Sequence, residues 1–193
     1  MLLVIDIGNT NIVFGIYKND ELINSWRISS ETSKTSDEYG MIFLNILAHH
    51  SIKPEDIHGA IISSVVPKLS HTIPKVCSNF FSVEPLEVGV GTKTGINIRY
   101  DNPKEVGSDR IVNSVAAYEI YKGPAIIVDM GTAISFDVVD EKGTYLGGAI
   151  SPGIESAANS LFMKASRLPK VELEVPKRVI GKTTNESLKS GIV

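Results

Sequence analysis

The sequence predicts an α/β protein built from two related halves. Three observations carry that expectation. The first is a pair of matching segments: Val4-Ile5-Asp6-Ile7-Gly8-Asn9-Thr10, and Val128-Asp129-Met130-Gly131-Thr132 behind the apolar Ile126-Ile127. Each is an apolar run ending in an acidic residue, with a glycine and a threonine close behind. Second, apolar runs of strand length alternate with segments of helical period. Third, superposing Asp6 on Asp129 gives an internal repeat of about 120 residues. With 193 residues, 42% of them hydrophobic and 21% charged, the chain has a globular composition and enough length for one large domain or two small ones.

Taken in order, residues 2–7 and 11–17 read as strands joined by the turn Gly8-Asn9-Thr10. A third strand, Leu22 to Ile28, follows the polar turn Lys18-Asn19-Asp20-Glu21. Thr35-Ser36-Asp37-Glu38 has the spacing of a capping box, and Tyr39, Ile42, Phe43, Ile46 and Leu47 then mark one apolar helical face. Gly59 to Val65 reads as a buried strand, and Val66-Pro67 as the opening of another helix. Gly107-Ser108-Asp109-Arg110 stands where a loop meets a helix carrying Ile111, Val112, Val115 and Tyr118, with Ser108 placed to cap it. The pattern begins again after Lys122-Gly123-Pro124: strands at Ala125–Asp129, Ala133–Val139 and Thr144–Ala149, a helix entered through Gly153, and a last helix at Leu188–Val193. The domain expectation is therefore 1–122 and 123–193, with the second copy, at about 70 residues, expected to lack its end.

The paired turns carry the chemistry. An acidic side chain at a strand end can hold a cation, directly or through water. The glycine lets the backbone turn tightly and approach a ligand, and N–H groups with a threonine hydroxyl then face one space, as phosphate oxygens require. Asp6 would hold a water on Mg²⁺ while Asn9 and Thr10 face phosphates. One such segment alone reads equally as a polar β-turn; two suggest a nucleotide held between two related domains. Asp109 suits the first turn of a helix, whereas Arg110 is at the unfavourable end for a cation. A carboxylate beside a guanidinium there can receive a hydroxyl substrate, the acid accepting its proton and the arginine holding oxygens. Gly147-Gly148-Ala149-Ile150-Ser151-Pro152-Gly153 reads either as a close approach to a ligand or as a tight strand–helix turn.

Other classes find little support. Gly181-Lys182-Thr183 ends like a phosphate-binding P-loop, but Pro176 stands where its first glycine belongs. Gly89-Val90-Gly91 begins like a dinucleotide fingerprint and has Thr94 in place of the third glycine. The four histidines lack metal-ligand spacing, and no serine lies in a Gly-x-Ser-x-Gly elbow. Net charge is −3, with a pI near 5.8, so no nucleic-acid footprint is expected. The single cysteine, Cys77, lies in an apolar-patterned stretch and suits a buried thiol in a reducing cytosol. With no signal-like start and no apolar run of membrane-spanning length, the expected location is cytoplasmic, with no membrane partner.

Together these residues resemble the type III pantothenate kinases, members of the actin-like ATPase superfamily with acetate kinase, hexokinase and Hsp70. The matching pieces are Asp6-Ile7-Gly8-Asn9-Thr10, Ser63-Ser64-Val65-Val66-Pro67, Thr94-Gly95-Ile96 leading to Tyr100, Gly107-Ser108-Asp109-Arg110, Asp129-Met130-Gly131-Thr132-Ala133, Gly147 to Gly153, and Thr184 before Ser190-Gly191. The turns are shared across the superfamily; the Gly-Ser-Asp-Arg block is more particular to this family, with Ser108 where Ala is more usual. The implied fold is α/β, two duplicated ribonuclease H-like (actin-like ATPase) domains with mixed sheets, the second truncated at its C-terminus.

The resemblance implies ATP-dependent phosphorylation of pantothenate to 4'-phosphopantothenate, the first step of coenzyme A biosynthesis. It implies that Asp6, Ile7, Gly8, Asn9, Thr10, Asn11, Ile12 and Val13 line the ATP phosphates, with Thr132 facing them from the second half. Tyr100, Gly107, Ser108, Asp109 and Arg110 would bind pantothenate, and Asp109 would act as general base. Asp129 would bind K⁺ or NH₄⁺, Asp6 would reach Mg²⁺ through water, and Thr184 would reach the site of a partner in a homodimer. Two alternatives are another actin-like kinase acting on a different small hydroxyl substrate, and a non-catalytic relative serving as an accessory transcriptional activator.

Overall fold

A computed structural model describes residues 1–89 and 91–193. Val90, from the Gly89-Val90-Gly91 segment, lies outside the described residues. The chain runs β1 (Leu2–Ile7), β2 (Asn11–Lys18), β3 (Glu21–Ser29), α1 (Ser36–His49), β4 (Gly59–Ser64), α2 (Thr72–Phe81), β5 (Leu86–Glu87) and β6 (Asn97–Ile98). It continues with α3 (Ser108–Tyr121), β7 (Ala125–Met130), β8 (Ala133–Val139), β9 (Thr144–Pro152), α4 (Ile154–Lys164) and α5 (Thr184–Ile192).

Two mixed sheets result. The first has the order β3-β2-β1-β4-β5, antiparallel from β3 to β1 and parallel from β1 through β5. Alternation of apolar residues sets its buried face: Leu3, Ile5, Ile7, Ile12, Phe14 and Ile16 point to one side, where Tyr39, Phe43 and Leu47 of α1 and Ile73, Val76 and Cys77 of α2 meet them. The opposite face of the same strands carries Asp6, Val13 and Arg27, aligned in one row by the register Asp6↔Val13↔Arg27. The second sheet, β6-β9-β8-β7, repeats the antiparallel meander in β7 to β9. Helix α3 packs against both β4 and the pair β7 and β8, and so joins the sheets. Strand β6 precedes residue 122 in the chain, yet pairs in parallel with β9. On β7, Ile126 and Met130 are 71% and 66% exposed.

The capping box forms as expected: Glu38 N donates to Thr35 Oγ1 at 3.3 Å and Thr35 N donates to Glu38 Oε2 at 2.8 Å. Several boundaries differ. Val66-Pro67 opens only a short 3₁₀ turn, Pro67–Leu69, and α2 starts at Thr72. Ser108 is not the cap of α3: Gly107 is, and the Ser108 hydroxyl donates instead to Ser64 O on β4 at 2.9 Å. The expected last helix begins earlier, at Thr184, because Thr183 Oγ1 accepts from Glu186 N.

Gly147 and Gly148 lie inside β9, which continues to Pro152 rather than stopping at Ala149. Gly147 is required by its φ of +113°, and Gly148 and Gly153 by close approach. A Cβ on Gly148 would collide with the Phe136 carbonyl, and one on Gly153 with the Gly131 and Thr132 carbonyls. Tight packing of strand and turn is present in this segment, and Ile150 within it also lines the cleft between the two sheets.

Candidate active site

Both acidic turns close through the N–H of their glycine, the second one residue tighter than the first. Gly8 N donates to Asn11 O at 2.9 Å, and Gly131 N donates to Ala133 O at 2.9 Å. The turns meet across a cleft of about 840 Å³, where the Thr10 and Thr132 hydroxyls lie 2.9 Å apart in a hydrogen bond. Supports hold each turn from behind. Ser30 donates from Oγ to Gly8 O at 2.6 Å and from its N–H to Thr10 O at 2.9 Å. Ser156, in the first turn of α4, donates to Thr132 O at 2.7 Å.

Asp6, Gly8, Asn9, Thr10, Asn11 and Val13 line the cleft from the first sheet. Asp129, Gly131 and Thr132 line it from the second, and Asp109 and Arg110 from α3. The side chains of Ile7 and Ile12 are fully buried in the core, so only their backbone can serve a ligand. Tyr100 stands behind the cleft wall, its ring 6.2 Å from that of Tyr145 and beside Gly147. Gly107 and Ser108 position the start of α3, Ser108 being locked to β4 by the Ser63 hydroxyl at 3.2 Å and by Ser64 N at 3.0 Å. Thr184 is an exposed residue at the start of α5 and does not line the cleft. A separate hollow of about 550 Å³, between Pro54–His58 and Phe80–Val83, gathers none of these residues.

Asp109 accepts from Arg110 N at 2.7 Å in the first turn of α3. Burial raises its pKa above the ordinary 3.8; the Arg110 N–H opposes the rise and the Asp129 charge adds to it. Asp6 opens onto the cleft, but the walls strip enough water to raise its pKa as well. The Ser63 hydroxyl opposes that rise, and the charges of Asp109 and Asp129 reinforce it. Asp129 Oδ2 accepts from Asn113 Nδ2 at 3.0 Å. These carboxylates therefore repel one another across a shared space, which is the condition a cation relieves. Among the described residues no three acidic, histidine or cysteine side chains close around one point, so each would serve a cation singly. Burial also pushes the Cys77 thiol up to about 12, which leaves it inert.

Behind Arg110 lies a buried network that the motifs do not announce. Asp137 on β8 is fully buried, and its Oδ1 accepts from Arg110 Nε at 2.8 Å and from Tyr145 Oη at 2.8 Å. Arg110 Nη2 lies 2.6 Å from the same oxygen, and Ser135 Oγ donates to Oδ2 at 3.0 Å. The guanidinium also lies 5.7 Å over the Tyr145 ring. A carboxylate at a core position of a strand was the available signal. Asn113 and Ser30 gave none, being common polar residues whose roles arise only from packing.

The sequence pattern of the type III pantothenate kinases matches residues 2–193. The chain belongs to the type III pantothenate kinase family. Family membership supports a kinase, and a kinase implies ATP as phosphoryl donor. Solved structures share the α/β architecture at low identity. A protein named as a Baf family transcriptional activator from Campylobacter jejuni is 19% identical, with a TM-score of 0.56 over 98% of this chain and 73% of that one. One named as a 2-dehydro-3-deoxygalactonokinase from Sinorhizobium meliloti is 11% identical, with a TM-score of 0.51 over 87% of this chain and 58% of that one. These likenesses concern the α/β fold alone. Among the described residues no helix is long and apolar enough to cross a membrane.

Proposed function

We propose that this family member transfers the γ-phosphoryl group of ATP to the primary hydroxyl of pantothenate, giving 4'-phosphopantothenate and ADP. The observation that carries the proposal is the convergence of both acidic turns and the Asp109–Arg110 pair on one cleft. Phosphoryl transfer through a loose transition state needs alignment and charge neutralisation more than covalent work by the protein. The hydroxyl oxygen bonds to the γ-phosphorus, the bond to the β,γ-bridging oxygen breaks with ADP as leaving group, and Asp109 takes the hydroxyl proton. A general base of this kind contributes about 10²–10⁴-fold, and burial keeps Asp109 a stronger base than a solvated aspartate.

The turn N–H groups, Asn9, Thr10 and Thr132 suit the phosphates, while Arg110 suits oxygens of the acceptor. Mg²⁺, reached from Asp6 through water, and K⁺ or NH₄⁺ at Asp129 would supply positive charge beside the phosphates when bound. The proposal includes the division into 1–122 and 123–193 as duplicated halves, supported by the matching meanders and by a glycine-closed acidic turn in each half. It also includes a homodimer, in which Thr184 would serve the partner's site, and a cytoplasmic setting in coenzyme A biosynthesis. The test is Asp109→Asn. Turnover should vanish while Mg-ATP still binds. Near-normal turnover would remove Asp109 from the base role and favour a different chemistry in the cleft.

A further inference from the structure

The cleft is acid-rich for a site that must accept a polyphosphate. Asp6, Asp109, Asp129 and Glu155 line it, against two cationic side chains, Arg27 and Arg110. Arg110 is already committed: its Nε and Nη2 lie 2.8 Å and 2.6 Å from the buried Asp137 carboxylate. Arg27 is in the opposite condition. Among the described residues the ion pairs involve Arg110, Lys122, Arg178 and Lys189, and Arg27 pairs with no carboxylate. It nonetheless lies on the face of the first sheet that forms the cleft wall, in the register row Asp6↔Val13↔Arg27. Neighbouring strands are about 4.8 Å apart, so its Cα stands about 10 Å from that of Asp6, across β2. The next row on the same face is Asn11↔Ser29, at the end of the phosphate-type turn.

We infer that Arg27 is a phosphate-binding residue of this cleft, the uncommitted cation that receives the anionic chain of the nucleotide on the β3 side. The inference rests on the nucleotide assignment above and adds to it a residue outside the turns. A free guanidinium presents a planar fork of donors that suits phosphate oxygens. Its placement on a strand, two registers from the turn, fixes it more firmly than a loop residue would be fixed. With Arg110 neutralised by Asp137, Arg27 is what offsets the repulsion between a polyphosphate and the cleft carboxylates before any cation binds.

Isothermal titration of the full chain with ADP and with adenosine, each with Mg²⁺ at low salt, tests this. Arg27→Gln is expected to weaken ADP binding about tenfold or more, the effect of losing one charge-assisted contact. Adenosine affinity and the thermal midpoint should stay unchanged, and Arg27→Lys should fall between. Equal ADP affinity in the unaltered chain and in Arg27→Gln would overturn the role of Arg27 and leave the nucleotide assignment standing. Parallel loss of ADP and adenosine binding with a lowered midpoint would overturn it in favour of a structural role. Failure of the unaltered chain to bind either ligand would refute the nucleotide assignment itself, and this inference with it.

Discussion

Replacing Asp137 by Asn isolates one charge in an otherwise conserved geometry. Two hydrogen bonds and one ion-pair contact converge on Asp137 Oδ1: Arg110 Nε donates at 2.8 Å, Tyr145 Oη donates at 2.8 Å, and Arg110 Nη2 lies 2.6 Å away without a hydrogen bond of its own. An asparagine with its carbonyl oxygen in that position keeps both hydrogen bonds. Its amide nitrogen then faces Ser135, whose hydroxyl can rotate to accept. What disappears is the counter-charge of a guanidinium whose side chain is only 10% exposed. Removing one partner of a buried pair costs about 3–5 kcal/mol, and the retained contacts place this variant near the lower end. For a chain of this size each kcal/mol moves the midpoint by about 2–4 °C, so Tm should fall by about 6–12 °C.

Scanning calorimetry measures the fall, and a double-mutant cycle with Arg110→Met assigns it. The doubly altered protein, having no buried charge, should be less destabilised than the two single changes summed. A Tm change under about 2 °C, or strict additivity, would refute the account of Asp137 as the partner that holds Arg110. If Arg110 in turn holds the acceptor, KM for pantothenate should rise in Asp137→Asn with KM for ATP unchanged.

Gly153→Ala should lower stability and nucleotide affinity together, because a Cβ there collides with the Gly131 and Thr132 carbonyls that form the second turn. Calorimetry and ADP titration check this, and a variant that folds and binds normally would show that the turn yields. The raised pKa values of Asp6 and Asp109 fix two signs. The folded state binds these protons more tightly than the unfolded chain, so both groups add stability below their ordinary value of 3.8, and that contribution is lost as pH rises through their folded values. Catalysis runs the other way: kcat/KM should collapse on the acid side with an apparent pKa above 3.8. A profile flat down to that value would separate Asp109 from the rate.

Much of this architecture is written in local pattern. Period-two alternation in residues 2–17 places Leu3, Ile5, Ile12 and Phe14 in the core and, by the same rule, leaves Asp6 and Val13 on the cleft face. The capping box at Thr35 is equally local. What escaped depends on contacts between distant segments. Ser108 has the chemistry of a cap, yet its hydroxyl is taken by Ser64, a residue 44 positions away. The glycines at 147 and 148 look like a turn because the Phe136 backbone that demands Gly148 belongs to a neighbouring strand, while Gly147 answers to its own φ of +113°.

The candidate site divides the same way. Its turns and the Asp109–Arg110 pair follow from motif spacing. Asp137 on β8, Asn113 on α3 and Ser30 in the loop after β3 are distant in sequence from their partners or turned toward them only by packing, and the fold brings them to Arg110, Asp129 and Gly8. Arg27 is a case between. Its place on the cleft face follows from strand alternation, but the absence of an ion-pair partner among the described residues, which gives it meaning, is a property of the assembled structure.

The most direct test of the central claim is ADP release from Mg-ATP by this chain with and without pantothenate, in K⁺ and in Na⁺ buffer. The account predicts pantothenate-dependent ADP release that is strong in K⁺, weak in Na⁺ and absent in Asp109→Asn. Pantothenate-independent release, or none from folded protein that binds Mg-ATP, would contradict it.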